Sequence, residues 1–361
     1  MRYDVVIVGG SFAGLAVATQ LRGRVLLLDR KPIGEGQTSA CAAPVMTLER
    51  MGAQEAILEV HDDLVIHTHR GVAIWHTGVP FATFDYRTFC EVVLQGLDID
   101  VKIAPAYGMD GGAVVTGAGV FAAPLIVDAT GWRATLASSL RQGYVQRRLM
   151  GFGLETELPV TFPKGLHFYF DREIIPHGYA WAFPAGSHTR FGIGSYLAET
   201  KLQGPLERFL ARFGLQPGPC HGGFLASGLR DPVLGHVFVV GDAAGQCLPL
   251  TGEGIRMAIR AGRFLGGQLQ MVLDGRLSLE DAQERYRSFV HAQRLYYAAL
   301  AGFQVGLLHV APWSLGLASQ FMTWRIPLRT FFRCYMRIFS HPNVSRGERT
   351  GQGRLARTDV V

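Results

Sequence analysis

Residues 3–30 constrain this chain more than any other stretch. An apolar run, Val5-Val6-Ile7-Val8, passes directly into Gly9-Gly10-Ser11-Phe12-Ala13-Gly14. A helical segment rich in Ala and Leu follows to Leu21, and a second apolar run, Val25 to Leu28, ends at Asp29 and Arg30. The order is strand, glycine turn, helix, strand, acid. Gly9 and Gly10 permit a tight turn at the helix start, where free N–H groups and the helix dipole hold a pyrophosphate, and Gly14 lets helix and strand pack closely. Asp29 stands where a carboxylate takes a ribose hydroxyl. Ser11 occupies the middle glycine of the G-x-G-x-x-G pattern, so the backbone approach to phosphate differs slightly there. Gly9, Gly10, Ser11, Ala13, Gly14, Asp29 and Arg30 are the first candidates for cofactor contact.

A chain of 361 residues can bury a large core and form two domains or one elaborated one. Its 48% hydrophobic content against 18% charged residues is rich, which points to deep pockets or contact with lipid. The charge excess of +6 is unevenly placed: from Arg325 to Arg357 eight arginines face one acid, Glu348. That run suits an anionic membrane surface, or is a solvated basic tail; no nucleic-acid module accompanies it, so nucleic acid is not an expected partner. Five cysteines are scattered without a C-x-x-C pair or a histidine cluster, so neither a metal site nor a disulfide framework is expected and the compartment reads as reducing and cytoplasmic. Asp4 and the glycine turn interrupt the N-terminal apolar run, which reads as a buried strand and not a secretory leader.

After Asp29 a loop leads to Ser39-Ala40-Cys41-Ala42-Ala43, small residues that let the backbone pass close to a flat ligand or cap a short helix near 44–51. Alternation between Leu64 and Thr77 around Arg70-Gly71 predicts a hairpin, and Phe84 to Cys90 opens an amphipathic helix carrying Phe89, Val92, Val93 and Leu94. Arg87 falls in that helix's first turn, where the dipole disfavours a cation and a ligand or carboxylate partner is expected. A second buried strand ends at Asp128-Ala129-Thr130-Gly131 after a short meander from Ala113 to Phe121. Strands at 152–156, 166–170, 179–183 and 189–194 then predict a largely antiparallel sheet, followed by a helix over 205–213. Val237 to Val240 is a further buried strand, followed by Gly241-Asp242-Ala243-Ala244-Gly245, Pro249 and Thr251-Gly252-Glu253-Gly254, which opens a long helix. A helix over 279–309 carries the chain into 295–324, a span without formal charge broken by His309 and Pro312 into two helices that pack on the body or lie in a bilayer interface.

Three glycine-bearing strand ends thus converge, as at the crevice of an open parallel sheet. With the Gly241-Asp242 and Thr251-Gly254 motifs, the chain resembles the FAD-dependent oxidoreductases that include aromatic hydroxylases, tryptophan halogenases and geranylgeranyl reductases. The resemblance, which covers about residues 1–262, implies an α/β fold: a discontinuous Rossmann-like FAD-binding domain (1–63, 81–135, 225–270) with an inserted β-rich substrate domain (64–80, 136–224). The apolar and basic pattern that follows reads as a C-terminal helical region (271–361) that packs on the body or associates with membrane. The resemblance also implies that Asp242 holds the ribityl chain of non-covalent FAD. Gly252, Gly254 and Ile255 then approach the ring, with Pro249, Asp128, Gly131, Cys41 and Ala42 nearby and Arg87 on the diphosphate side.

Pro176-His177-Gly178-Tyr179-Ala180-Trp181-Ala182-Phe183-Pro184 matches the P-x-x-Y-x-W-x-F-P pattern of geranylgeranyl reductases at every fixed position. Period-two spacing puts Tyr179, Trp181 and Phe183 on one strand face, a wall suited to an isoprenoid chain, with Pro176 and Pro184 at its ends. The family likeness predicts hydride transfer to a prenyl C=C of a lipid, quinone or pigment precursor, with Tyr179 or Cys41 as proton donor. The rivals are an FAD monooxygenase of an aromatic or lipophilic substrate and a non-catalytic flavoprotein docked on the inner face of the cell membrane. Halogenation is disfavoured, because halogenases need a lysine beside their tunnel and none occurs from Pro32 through Val101. No second G-x-G-x-x-G marks a nicotinamide domain, so NADPH binding transiently, or ferredoxin, is the expected electron donor.

Overall fold

A computed structural model of the protein describes residues 3–309 and isolated positions beyond them (316, 317, 320, 323, 330, 332, 335 and 336). Strand β1 (Val5–Val8) leads through α1 (Phe12–Ala18) to β2 (Val25–Asp29). Next come β3 (Ala42–Pro44), α2 (Val45–Glu49), the hairpin of β4 (Ile57–Thr68) and β5 (Gly71–Phe84), and α3 (Tyr86–Gln95). After β6 (Asp100–Ile103), the meander β7 (Ala106–Asp110), β8 (Ala113–Thr116) and β9 (Gly119–Phe121) precedes β10 (Leu125–Asp128) and α4 (Thr135–Leu140). The chain continues through β11 (Gly151–Leu158), β12 (Leu166–Tyr169), β13 (Gly178–Ala185), β14 (His188–Ser195), α5 (Gln203–Ala211) and β15 (Cys220–Leu225). It closes with β16 (Val233–Leu234), β17 (Val237–Val239), α6 (Ile255–Leu273), α7 (Leu279–His291) and α8 (Arg294–His309).

The unbroken apolar runs form the inner strands of a six-stranded sheet in the order β16-β17-β10-β1-β2-β6, parallel except for β16. Every residue of β1 is buried, as expected for a parallel strand covered on both faces. Val8 lies beside both Asp128 and Leu28, so the carboxyl ends of β1, β2 and β10 finish level and the glycine turns open on one edge. Helix α1 is seated against β1 at contact distance. A Cβ on Gly14 would lie 1.8 Å from the Gly9 carbonyl oxygen, and one on Gly9, whose φ is +108°, would lie 2.1 Å from that of Ala129. On its other side α1 packs on α6, where Gly262 and Gly266 would carry a Cβ 2.6 and 2.5 Å from the carbonyl oxygens of Ala13 and Val17.

The inserted sheet has eight strands in the order β15-β11-β14-β13-β12-β4-β5-β3, antiparallel except for the β4–β12 pair. It is larger than expected. The hairpin runs from Ile57 to Phe84 because two register irregularities, at 57–59 and 61–63, let β4 bend and continue, and β5 also recruits Ala42–Pro44. The boundaries expected at 64 and 80 therefore fall inside one sheet. The helix expected over 279–309 is two. Gln293 turns its amide back to the Phe289 carbonyl (3.0 Å), and residues 292–293 form a turn between α7 and α8. The arginine-rich run from Arg325 to Arg357 lies outside the described residues. Among those described, no helix is long and apolar enough to cross a membrane and no histidine, cysteine or carboxylate cluster could hold a metal ion.

Gly14→Ala should lower unfolding stability by about 2 kcal/mol or more, since neither backbone segment beside it can yield. Urea denaturation of the variant and the parent protein would measure the difference.

Candidate functional site

A continuous cavity of about 940 Å3 runs from the carboxyl edge of the six-stranded sheet to the face of the eight-stranded one. At the first end it is lined by Gly9, Ser11 and Ala13 at the start of α1, by Asp29 and Arg30 at the end of β2, and by Gly131 and Asp242 after β10 and β17. Asp29 braces the turn: one oxygen accepts from the Gly10 amide (2.7 Å) and the other from the Lys31 amide (3.2 Å). Ser11, the departure from the glycine pattern, accepts a hydrogen bond from Tyr86 Oη (3.0 Å), which ties the turn to α3. Asp242 enters the cavity from a one-turn helix, and its carboxylate makes no hydrogen bond within the described residues. Burial raises its pKa to about 6, with Arg230 opposing the shift. Gly252, Gly254 and Ile255 line the cavity where α6 begins, so the free amides of a 19-residue helix open on it. A glycine cradle, a ribose-level acid, an unpartnered wall carboxylate and a second helix start fit an extended dinucleotide such as FAD.

The other end is aromatic. Tyr179, Trp181 and Phe183 of β13 share one face with Phe168 of β12, and Phe170 and Tyr196 extend it. Adjacent ring centroids lie 5.1 Å apart for Phe168–Phe183, 5.7 Å for Phe170–Tyr179 and 5.9 Å for Tyr179–Trp181. The wall is flat because the neighbouring strand β14 places glycines, Gly194 and Gly192, opposite Tyr179 and Trp181. Gly192 stands opposite Trp181, and a Cβ there would fall 2.1 Å from the indole. Trp181 Nε1 donates to Glu155 Oε2 (2.7 Å), and Tyr179 Oη donates to the Thr251 carbonyl (3.2 Å), joining the aromatic strand to the start of α6. Burial pushes the Tyr179 phenol and the Cys41 thiol well up, so both hold their protons.

Cys41 and Ala42 line the cavity at the junction of its two ends. Cys41 has φ +46°, a conformation costly for a side-chain-bearing residue, and Arg190 holds it there. The Arg190 guanidinium is almost wholly buried and donates to the carbonyls of Ala40 (3.1 Å), Cys41 (3.5 Å) and Phe84 (3.0 Å), while its Nε pairs with Glu157 (2.8 Å).

Several expected residues lie elsewhere. Asp128 is fully buried and saturated: it accepts from the Thr130 amide and hydroxyl and from the Ala137 amide, so it fastens the turn to α4 and does not reach the cavity. Gly10 and Gly14 serve the turn from behind. Arg87 is exposed on α3 against Gly34, away from the lining. Pro184 directs its carbonyl to Thr83 and His61, and neither it, Pro176 nor Pro249 belongs to the wall. Sequence reading missed Glu155, His221, Arg190 and Phe168. The lone acid in Gly-Phe-Gly-Leu-Glu-Thr and the alternation Phe191-Gly192-Ile193-Gly194 were the signals available.

Residues 4–183 match the family described as FAD dependent oxidoreductase. Digeranylgeranylglycerophospholipid reductase 1 of Methanopyrus kandleri is 27% identical over 314 residues, 74% of this chain and 80% of that one. The digeranylgeranylglycerophospholipid reductase of Methanocaldococcus jannaschii is 28% identical over 304 residues, 73% of this chain and 76% of the other. Among solved structures, a geranylgeranyl bacteriochlorophyll reductase-like protein from Thermoplasma acidophilum superposes with a TM-score of 0.80 at 18% identity, covering 93% of this chain and 97% of its own. The p-nitrophenol 4-monooxygenase of Pseudomonas putida has a TM-score of 0.71 at 16% identity, covering 94% and 98%. The last two likenesses establish the fold.

The cavity and the matched sequence define an FAD-dependent oxidoreductase. Within that class, the chain is similar to the two digeranylgeranylglycerophospholipid reductases named above.

Asp242→Asn should weaken FAD binding by roughly 10-fold or more, measured by titration of the apoprotein followed in visible absorbance. The same variant tests the acid's titration. Its pKa is higher folded than unfolded, so the folded apoprotein binds the proton more tightly and loses stability as pH rises from about 4 to about 6. That slope should be missing from the variant's urea midpoints. Arg190→Met should cost about 3 kcal/mol by leaving buried carbonyls unpaired, lowering Tm by several degrees in calorimetry.

Proposed function

We propose that the protein saturates carbon–carbon double bonds of a geranylgeranyl-type prenyl chain carried by a lipid, quinone or pigment precursor. The observation that carries this reading is the aromatic wall of Tyr179, Trp181, Phe183 and Phe168, continuous with the dinucleotide crevice in one cavity. An isolated alkene has no carbonyl to polarise, so the protein must supply orientation, dryness and a proton. FAD, when bound and reduced, supplies the hydride.

The roles of the chain's own residues follow from their places. Tyr179 and Trp181 hold the prenyl chain against the flat face, with Phe183 beyond them. The buried Cys41 fills the junction between crevice and wall without charge. Asp242 takes hydroxyls of the cofactor's polyol chain, Asp29 and Arg30 its ribose and phosphate end, and the amides at Gly254 and Ile255 favour negative charge on its ring edge. NADPH or ferredoxin is the proposed source of electrons.

Leu300 and Leu307 of α8 line the cavity, whereas Leu295, Phe303 and Val305 of the same helix are 83%, 70% and 54% exposed. A helix with one edge in the cavity and apolar side chains outside supports a peripheral seat on a bilayer, through which a lipid substrate enters. Flotation with vesicles of anionic phospholipid should carry the protein upward, and Phe303→Asp should reduce the floated fraction several-fold.

Anaerobic mixing of the reduced holoprotein with digeranylgeranylglycerophospholipid should oxidise the cofactor and add two hydrogens per bond, read by mass spectrometry. Substrate-dependent oxygen uptake without saturation would favour a monooxygenase instead. Gly192→Val should leave cofactor binding intact and slow prenyl turnover at least 10-fold, because the displaced indole blocks the wall.

A further inference from the structure

Four carboxylates line the cavity: Asp29, Glu155, Asp242 and Glu253. Asp29 braces the glycine turn, Asp242 faces the cofactor's polyol, and Glu253 is tied to Arg256 and to Tyr335 Oη (2.6 Å). Glu155 has no such employment. It stands on the aromatic face, 3% exposed, where a carboxylate is costly unless every oxygen is partnered. Its partners come from one row across the sheet: Trp181, Gly192, Glu155 and His221 stand opposite one another on β13, β14, β11 and β15. Because Gly192 has no side chain, the indole spans its position and meets Glu155 Oε2 at 2.7 Å. Oε1 meets His221 Nε2 at 3.1 Å. His221 lies on β15, the edge strand, lines the same cavity and keeps 27% of its side chain exposed. Its Nδ1 makes no hydrogen bond within the described residues. The other titratable groups whose fields reach Glu155 are Arg190, itself paired with Glu157, and Cys41.

We infer that His221 and Glu155 form a proton relay from solvent to the cavity, with Glu155 as the acid from which the alkene takes its proton. The inference rests on the prenyl-reductase reading above. Saturation adds one hydride, from the reduced cofactor, and one proton. As the π bond opens, its electron pair takes the proton of the Glu155 carboxyl: the O–H bond breaks and a C–H bond forms on one carbon, while the hydride bonds to the other. His221 returns a proton from Nε2 to the carboxylate and recovers one from water at Nδ1. Trp181, through its indole N–H, holds the carboxyl against the wall that orients the chain. Burial raises the pKa of Tyr179 and of Cys41, so both hold their protons, and neither has a comparable link to an edge strand.

The test uses prereduced holoprotein, digeranylgeranylglycerophospholipid in detergent micelles, and single-turnover oxidation of the cofactor without oxygen. Glu155→Gln keeps the size and the hydrogen-bond acceptor for Trp181 but cannot pass a proton. It should slow oxidation at least about 100-fold. Binding of the same lipid to the oxidised holoprotein, followed by quenching of tryptophan fluorescence, should change less than about threefold, as should FAD affinity. His221→Ala should be slowed about 10-fold or more and be restored by added imidazole, which a merely structural histidine would not allow. A Glu155→Gln rate near that of the parent, a loss of rate that follows a loss of lipid binding, or a folded His221→Ala that imidazole leaves slow would each overturn the relay. Should the parent protein bind the lipid and not be oxidised by it, the prenyl-reductase reading itself falls and takes the relay with it.

Discussion

The contact between α1 and its two neighbours sets the geometry on which everything else rests. Where Gly14 meets the Gly9 carbonyl and where Gly262 and Gly266 meet the backbone of α1, helix axes approach closer than any side chain would allow. Such contacts fix direction as well as distance, because a helix seated backbone to backbone has no room to swivel. Consequently the N-terminal ends of α1 and α6, separated by more than two hundred residues in sequence, both open on the same crevice. Two sets of free amides and two positive dipole ends therefore open on one crevice, an arrangement that suits a polyanionic ligand. In the proposed binding mode the α1 start serves the phosphates and the α6 start the ring, dividing binding from electronic tuning between two helices.

The second sheet is braced internally by a buried cation. Arg190 projects from β14 and gathers three carbonyls, two from the Ala40–Cys41 segment before β3 and one from the end of β5. Those carbonyls lie beside the fully buried Cys41 and Phe84, where a carbonyl's polarity is costly without a donor. All three converge on Nη1, while Nε of the same planar guanidinium faces Glu157, so one side chain holds both sides of the contact in a fixed geometry. The clamp also positions Cys41 in its strained conformation at the junction of crevice and wall. Arg190 thus anchors from behind a segment, Ala40–Cys41, that itself lines the cavity.

The legible parts of the sequence were those in which local pattern and global position agree. Val5 to Gly14, Gly241 to Gly254 and the alternation of Tyr179, Trp181 and Phe183 each specify backbone and side-chain direction together, and each lines the cavity. Asp128 shows the limit of such reading. A carboxylate at a strand end looks the same in sequence whether it awaits a ligand or is saturated by Thr130 and Ala137. Arg190 reads as an ordinary polar-face cation, since nothing local reveals the three carbonyls that converge on it. Strand β15 was invisible because Cys-His-Gly-Gly-Phe-Leu has little intrinsic preference for a strand and is held by pairing with β11. The break between α7 and α8 arises from a glutamine side chain competing for a helical carbonyl, a choice that spacing does not encode.

Trp181 and Gly192 stand on different strands but occupy one volume, since the indole lies where the glycine's side chain would be. Neither position is free to vary while the other stays as it is. A larger residue at 192 meets the ring, and a smaller one at 181 opens a gap in the wall and strips Glu155 of a donor. The pair therefore behaves as a single heritable unit, and a lineage changing the width of this cavity to admit a different chain would have to pass through paired replacement. Among relatives that keep the aromatic strand, the residue opposite its tryptophan is accordingly the place to look for divergence in what the cavity admits.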